Sequence, residues 1–253
     1  MDAPHAQEPV VQRLRIKYAK RGRLRFTSHR DFSRAFERAL RRAKVPIAFS
    51  AGFSPHPRVS YANATPTGVA SEAEYLEIAL NQKVEPEQLR VNLDAALPLG
   101  LDLIEVVEAK SSDFASRLEV SRWRLVLTGV EPVAVAAAVA ALLAEKEVIV
   151  ERMTKDGIRR FDARAAIFSL WIAEPTTDEG DPDAAMPEDW LPSVILEAVV
   201  RSGSPSVRPD DLLAALRVVA GLASTSPPLV TRLAQGPLNA SGNVADPFDL
   251  DRE

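Results

Sequence analysis

Apolar residues recur along the first half of the chain with two periods, which predict its strands and helices. Between residues 10 and 26 apolar and basic residues alternate, as in two short strands around a turn at 20–22, with one apolar and one cationic face. From Phe32 to Ala43 the apolar residues follow the i, i+3, i+4, i+7 spacing of a helix, which begins behind a capping sequence at Ser28. Extended segments and a second helix then complete a βαββαβ order: extended segments at 47–63, 75–80 and 101–108, and the helix at 86–97.

The second half of the chain repeats a similar order after a polar stretch at 110–117. Strands are predicted at 123–128, 148–153, 168–173, 191–200 and 229–233, and helices at 132–146 and 209–219. The Asp156-Gly157 pair suits a two-residue hairpin turn. We therefore predict an α+β fold of two tandem ferredoxin-like (βαββαβ) domains, at 10–110 and 118–234.

Three segments have compositions that do not suit a packed core. Residues 174–189 are rich in Pro, Asp and Glu and are expected to form a mobile acidic loop. Residues 1–9 and 235–253 are expected to be disordered tails.

Composition excludes several kinds of chemistry. The 253 residues include no cysteine, so the chain can form no disulfide, thiolate zinc site, cysteine nucleophile or cysteine-ligated iron–sulfur cluster. It contains no Walker loop, GxGxxG or GxSxG sequence, which leaves a nucleotide-driven or serine-hydrolase function without support. The longest apolar run, 130–144, is broken by a Glu-Pro pair, and residues 1–9 do not resemble a signal peptide. We expect a cytoplasmic bacterial protein with no membrane span and no cofactor of its own.

Charge is distributed unevenly along the chain. The formal net charge is -4, yet residues 10–60 carry 14 Lys and Arg against two acidic residues. So dense a positive segment is typical of a phosphate-binding surface, although arginines also solvate exposed faces without binding anything. The candidate phosphate-binding residues are Arg25, Ser28, His29, Arg30, Arg34, Arg38, Arg41, His56 and Arg58.

Two histidines lie in polar segments that the predicted fold brings together. The helix start at 27–31, the loop at 52–58 and the segment 68–75 are expected to converge, with His29 in the first and His56 in the second. A helix N-terminus beside arginines and histidines is a plausible anion pocket. A packed structural role for either histidine is an equally good reading. Acid–base cleavage of a phosphodiester by His29 and His56 is a further alternative.

The same region contains candidate metal ligands and candidate base-stacking aromatics. A metal site formed by His29, His56 and Glu74 lacks any recognised ligand spacing, so we predict none. Phe49, Phe53 and Tyr61 interleave with the basic loop, and one of the three is expected to be exposed. Phe53 and Tyr61 are the candidates for stacking on unpaired bases.

Several strings in the N-terminal half resemble one bacterial family. They are Phe-Thr-Ser-His-Arg-Asp at 26–31, followed by Arg34, Glu37 and Arg38 at helical spacing, then Ser-Ala-Gly-Phe-Ser-Pro-His-Pro-Arg at 50–58 and Glu-Ala-Glu-Tyr at 72–75. They closely resemble the DUF2344 family of radical SAM-associated, or radical SAM-linked, proteins, over roughly residues 10–233. Members of that family are fused behind a radical SAM module or encoded near one, often close to a ribonuclease E/G gene.

The resemblance implies an accessory role. This chain resembles the separately encoded form, and without cysteine it lacks the CxxxCxxC sequence that binds the radical SAM cluster. The expected function is therefore an RNA-binding accessory protein that presents tRNA or rRNA to a separate radical SAM enzyme for modification. A metal-independent RNA-processing enzyme using His29 and His56, and a protein-interaction adaptor, are the alternatives.

Overall fold

The computed structural model describes residues 8–174 and 193–252. Helices and strands alternate in an α+β arrangement. In chain order they are β1 Gln12–Lys20, α1 His29–Arg42, β2 Val59–Ala62, β3 Ala70–Leu80, α2 Pro86–Asp94, β4 Leu103–Glu108, β5 Val120–Thr128, α3 Pro132–Ala144, β6 Ile149–Thr154, β7 Gly157–Asp162, β8 Ile167–Ala173, β9 Ser193–Arg201, α4 Pro209–Ala220, β10 Leu229–Gly236 and α5 Asp249–Arg252. Among these helices none is long and apolar enough to cross a membrane.

The chain divides into two compact units. The described residues of the first are 8–117 and 246–252, and those of the second are 118–174 and 193–245. The change of unit after residue 117 lies close to the predicted domain boundary. The return of residues 246–252 to the first unit differs from the prediction, which ended the folded chain at residue 234.

In the first unit, β1 is a central strand of an antiparallel sheet. The strand order is β4-β1-β3-β2. Helix α1 buries Phe32, Phe36 and Leu40 against β1 residues such as Leu14 and Ile16. These are the apolar positions that the helical spacing predicts, so one face of α1 is fixed by burial and the opposite face is left to solvent.

The predicted second strand at 23–26 is wrong. After β1 ends at Lys20, residues Gly22–Phe26 form a short 3-10 helix. Gly22 has a φ of +51°, in the left-handed region that favours glycine. The backbone N–H of Leu24 donates to the carbonyl of Arg21 at 3.0 Å, and that of Thr27 donates to the carbonyl of Leu24 at 2.9 Å. These local bonds satisfy the backbone where a strand would need a neighbour.

The middle of the basic face of β1, at Arg15, is covered by the tail predicted to be disordered. Arg15, predicted on a solvent-facing cationic surface, is completely buried. The C-terminal segment packs here, with Phe248 fully buried and its ring 5.3 Å from that of Tyr75. The Asp251 carboxylate pairs with the Arg15 guanidinium at 2.6 Å. Residues 235–252 are therefore ordered, because they complete the first unit's core and the end of β10.

The other two segments predicted to lack structure fall almost entirely outside the described residues. Of the tail predicted at 1–9, only residues 8 and 9 are described, and Glu8 accepts a hydrogen bond from the side-chain amide of Asn81 at 2.9 Å. Of the predicted acidic loop, only Glu174 is described, directly after β8. The structure leaves the remainder of both predictions untested.

The second unit has an antiparallel sheet with the order β10-β5-β9-β8. The two sheets have matching orders: β4 lies beside β1 as β10 lies beside β5, and β3 separates β1 from β2 as β9 separates β5 from β8.

The hairpin of β6 and β7 is an insertion between α3 and β8 that forms its own two-stranded sheet. Its loop at 155–156 lies where the Asp-Gly signal predicts a turn. The second unit thus contains a paired ribbon outside its main sheet.

Candidate nucleic-acid interface

The solvent face of α1 carries a row of guanidinium groups. Arg30, Arg34, Arg38 and Arg42 follow one another at intervals of four residues, and Arg41 lies beside the row. All five side chains are exposed. A step of four residues advances about 6 Å along a helix, so the row is about 18 Å long. We call these five residues the α1 basic face.

The α1 basic face is largely uncompensated. Arg34 lies 4.0 Å from Asp31, and both side chains are more than half exposed. The other four arginines form no ion pair with any residue in the described ranges. Like charges at i and i+4 destabilise a helix by about 0.2–0.5 kcal/mol per pair, so helix stability does not explain this row. It is a surface suited to an anionic partner.

Several other basic residues of the positive segment are neutralised by acids from elsewhere in the chain. Arg13 pairs with Glu77 at 3.0 Å. Arg21 pairs with Glu72, and with Asp102 at 3.0 Å, and these contacts raise the pKa of its guanidinium. Arg13 and Arg21 therefore add little net positive charge to the surface, whereas the arginines of α1 are largely unpaired.

Three predicted phosphate ligands are partly or wholly committed to the fold. Arg25 is buried, with 6% of its surface exposed, and does not belong to the exposed row. Ser28 is the N-cap of α1: its hydroxyl accepts from the backbone N–H of Asp31 at 3.2 Å and donates to the Asp31 carboxylate at 2.6 Å. The negative charge of Asp31 thus already occupies the helix N-terminus. Arg58 is half-buried.

The two histidines are exposed and occupy separate environments. The His29 ring packs edge-on against Tyr61, with 4.7 Å between the ring centres. His56 Nδ1 lies 2.9 Å from the hydroxyl oxygen of Ser50. Within the described residues, no hydrogen bond or ring contact joins His29 to His56. Neither is a packed core residue, and each has its own contacts.

The segment 68–75 contributes little to the site. Ser71 and Glu74 are buried, and the Glu74 carboxylate accepts from the backbone N–H of Thr65 at 3.1 Å. The backbone N–H of Gly68 donates to the carbonyl of Arg25 at 2.8 Å, which places this segment beside the 3-10 helix. In the described parts of the chain no three His, Asp or Glu side chains are grouped to hold a metal ion.

Exposed aromatic residues flank the basic residues. Phe53 is 81% exposed, whereas Phe49 packs against the core and Tyr61 is half-buried, so one of the three is exposed as predicted. The pKa of the Tyr61 hydroxyl is raised, mainly because burial disfavours the charged form. A hydrogen bond with Ser33 lowers this pKa and the charge of Glu37 raises it, but both effects are smaller than that of burial.

Phe26, which the sequence pattern does not single out as a surface residue, is 67% exposed. The alternating pattern placed it on the core side of a strand. The 3-10 helix instead turns it outward, two residues before the N-cap of α1. Gly22, shortly before α1, is the sequence feature that could have indicated this exposure. A glycine turn interrupts a strand, so residues after it no longer alternate between the core side and the solvent side.

These features define a two-unit α+β protein with an exposed basic helix in its first unit. The family model for DUF2344, described as an uncharacterized protein conserved in bacteria, matches residues 13–209. The chain therefore belongs to the DUF2344 family, as the resemblance of its N-terminal strings predicts. No curated protein matches the chain.

Similar solved structures are distant. One is the crystal structure of a Cbf5-Nop10-Gar1 complex, at 11% identity and a TM-score of 0.43, covering 87% of this chain and 47% of that one. The chain thus spans about half the length of that relative. Another is an unknown protein from Galdieria sulphuraria, at 14% identity and a TM-score of 0.24, covering 82% of this chain and 91% of that one. Neither likeness is close enough to carry an argument about fold or function.

Proposed function

We propose that this protein binds RNA through the α1 basic face and acts as an accessory to a separate radical SAM enzyme, to which it presents tRNA or rRNA for modification. The observation that carries the RNA-binding part is the row of exposed arginines on α1, four of which form no ion pair with a described residue. The accessory part rests on the family's radical SAM association.

The geometry of the row suits a polyanion better than a single small anion. Its charges are spread over about 18 Å, so one phosphate cannot neutralise more than a neighbouring pair. A nucleic-acid backbone supplies one charge per nucleotide along its length and can meet the whole row. Phe26 and Phe53 are exposed in the same unit and could stack on unpaired bases, which favours RNA with single-stranded segments.

The proposed partner supplies the chemistry that this chain lacks. Without cysteine the chain cannot bind the cluster of a radical SAM enzyme. We expect the tagged full-length chain, isolated from a native bacterial lysate, to retain both RNA and an iron–sulfur radical SAM enzyme, identified by RNA sequencing and mass spectrometry. Retention of RNA without any such enzyme would contradict the accessory role and leave RNA binding standing.

We also propose that each unit is ferredoxin-like, the second with the β6–β7 hairpin inserted. The matching strand orders β4-β1-β3-β2 and β10-β5-β9-β8, each produced by a βαββαβ succession, support this classification. The open face of such a sheet or its flanking helices can carry a binding surface. Fold alone does not assign the function, which rests on α1.

Replacing His56 with Gln separates an accessory from an enzyme. If His56 only contacts phosphate, we expect binding of bacterial tRNA to weaken by about 1–3 kcal/mol, the contribution of a charged hydrogen bond. The purified wild-type chain should leave that tRNA chemically unchanged, as measured by gel electrophoresis and nucleoside mass spectrometry.

The contrary result is equally specific. If His56 and His29 are an acid–base pair, H56Q retains binding but turnover falls by about 10²-fold or more, and the wild type has a bell-shaped pH profile. The matched control is Ser54→Ala, which removes a polar side chain from the same exposed loop and should change neither quantity.

A further inference from the structure

A second basic surface lies in the second unit, where the β6–β7 hairpin faces the loop that leads into α4. Between them is an open cleft of about 520 Å³. Its lining includes four cationic side chains and no carboxylate. The four are Arg152, Lys155, Arg159 and Arg208.

The hairpin places two of these cations directly opposite each other. Arg152 in β6 is the cross-strand partner of Arg159 in β7, and both line the cleft. Like charges at opposed positions destabilise a strand pair, so this arrangement needs compensation. Arg152 has it: the guanidinium lies 2.8 Å from the Asp211 carboxylate and 4.9 Å from the centre of the Phe161 ring.

The remaining three cations lack a direct ion pair, although the charge of Arg208 also acts on the Asp211 carboxylate: burial raises the pKa of that carboxyl, and the charge of Arg208 is among the effects that lower it. Lys155, Arg159 and Arg208 are exposed and form no ion pair with a residue in the described ranges. The Asp211 carboxylate is committed to Arg152 and to the backbone N–H of Arg208, which it accepts at 2.7 Å. Three positive charges therefore surround one polar opening.

The opposite face of the hairpin is different. Arg160 pairs there with Glu151 at 2.7 Å, and both side chains are largely exposed. That face also carries Met153 and Ile158, an exposed cross-strand pair, of which Met153 also contributes to the cleft lining. The uncompensated charge is thus confined to the cleft side of the ribbon, where the lining also includes the hydroxyl-bearing residues Ser204 and Ser206.

We propose that this cleft binds phosphate groups of an RNA strand and forms a second contact site, separate from the α1 basic face. The choice of RNA over another phosphate-bearing ligand rests on the proposed function, whereas the phosphate chemistry rests on the cleft itself. A phosphodiester between Arg159, Lys155 and Arg208 would relieve the like-charge pairing across the hairpin and accept several charged hydrogen bonds. The open, polar shape of the cleft suits a backbone passing through it.

Arginine footprinting of the full-length chain tests this site. Phenylglyoxal modifies free guanidinium groups, and mass spectrometry of peptides measures the rate at each arginine. We expect a single-stranded 12-nucleotide oligouridine to slow modification of Arg159 and Arg208 about fivefold or more, while Arg160 changes less than about twofold. Unprotected Arg159 and Arg208, or equal protection of Arg160, would overturn the proposal, as would protection by inorganic pyrophosphate but not by the oligonucleotide.

The footprint also separates this site from the proposed function. Protection of Arg159 and Arg208 without protection of the α1 arginines would support the cleft and contradict the α1 interface, and the reverse pattern would contradict the cleft alone. In a binding measurement, Arg159→Gln combined with Lys155→Gln should weaken oligouridine binding about tenfold. The control Arg160→Gln, in the same hairpin, should stay within about twofold of the wild type. Equal affinities for the two variants would argue against the cleft.

Discussion

Replacing Arg34, Arg38 and Arg41 together with Glu is expected to abolish binding of bacterial tRNA. Five contacts from the α1 basic face give a slope near -4 for log affinity against log salt concentration. The triple variant removes three of these contacts and places three carboxylates in the row, so we expect affinity to fall by more than about 100-fold at 0.15 M salt. Fluorescence anisotropy of labelled tRNA over a salt series measures both quantities.

The matched control carries the same change in net charge elsewhere. Lys83, Lys146 and Arg217 are exposed and form no ion pair with a described residue. Their joint replacement with Glu should leave tRNA affinity within about fivefold of the wild type, because long-range charge alone is screened beyond about 8–10 Å.

Folding provides the second control for the α1 variant. The replaced side chains face away from Phe32, Phe36 and Leu40, so each change should cost within about 0.5 kcal/mol of stability. Retained binding by a folded α1 variant, or a wild-type affinity that does not depend on salt, would rule out this interface. Equal loss in the control triple would show that net charge, rather than the row, determines binding.

Helix α1 shows what local pattern can predict. Apolar positions at helical spacing place Phe32, Phe36, Ala39 and Leu40 on one face, and the structure buries all four. The exposed arginines follow as the complement of that face. No knowledge of the tertiary structure is needed, because the helical period alone sorts the two faces.

Strand β1 and the C-terminal segment show why contacts between distant parts of the chain were not predictable from local pattern. Alternation correctly separates the two sides of β1, but it cannot tell whether the second side meets solvent or another segment. The segment that covers Arg15 is more than 230 residues away in sequence and has the polar composition of a tail. The wrong predictions for Arg15 and for the C-terminal segment have one cause: each was considered without the other, with which it packs in the folded chain.

In the candidate site, too, features within one helix were predictable and features that depend on distant segments were not. The row on α1 and the Ser28 cap depend on one helix and were predictable, whereas the burial of Arg25 is revealed only by the folded chain. The β6–β7 cleft was missed although three of its four cations lie in one hairpin, because only the folded chain brings the loop that carries Arg208 beside that hairpin.

The second large effect concerns the buried charge cluster that holds the C-terminal segment. Replacing Asp251 with Ala is expected to destabilise the protein by about 3–5 kcal/mol, the usual cost of removing one partner of a buried ion pair. Asp251 accepts from Arg15, Arg117 and the backbone N–H of Lys110. Arg15 would keep one carboxylate partner, Glu77 at 3.2 Å. Urea denaturation followed by circular dichroism measures the change.

The control is Asp249→Ala in the same short helix. Asp249 also pairs with an arginine, Arg252 at 2.8 Å, but its side chain is 64% exposed, so this change should cost less than about 0.5 kcal/mol. A second variant, Arg15→Met combined with Asp251→Leu, should be more stable than D251A, because the fully buried Arg15 charge is removed together with its partner. Arg117 loses Asp251 in both variants, so the comparison isolates the contribution of Arg15.

The pH dependence of stability provides an independent measurement of the same cluster. Burial disfavours the Asp251 carboxylate, but hydrogen bonds from Arg15 and Lys110 and the charges of Arg15 and Arg117 outweigh it, so the pKa falls below its ordinary 3.8. A carboxyl with a lowered pKa in the folded state stabilises the fold in full above its unfolded pKa, and this stabilisation is lost as pH falls through the folded pKa. The wild type should therefore lose more stability than D251A as pH falls below about 4. Parallel pH profiles for the two proteins, or a D251A variant within about 0.5 kcal/mol of the wild type at pH 7, would show that the C-terminal segment is held by Phe248 and the apolar contacts around it rather than by this charge cluster.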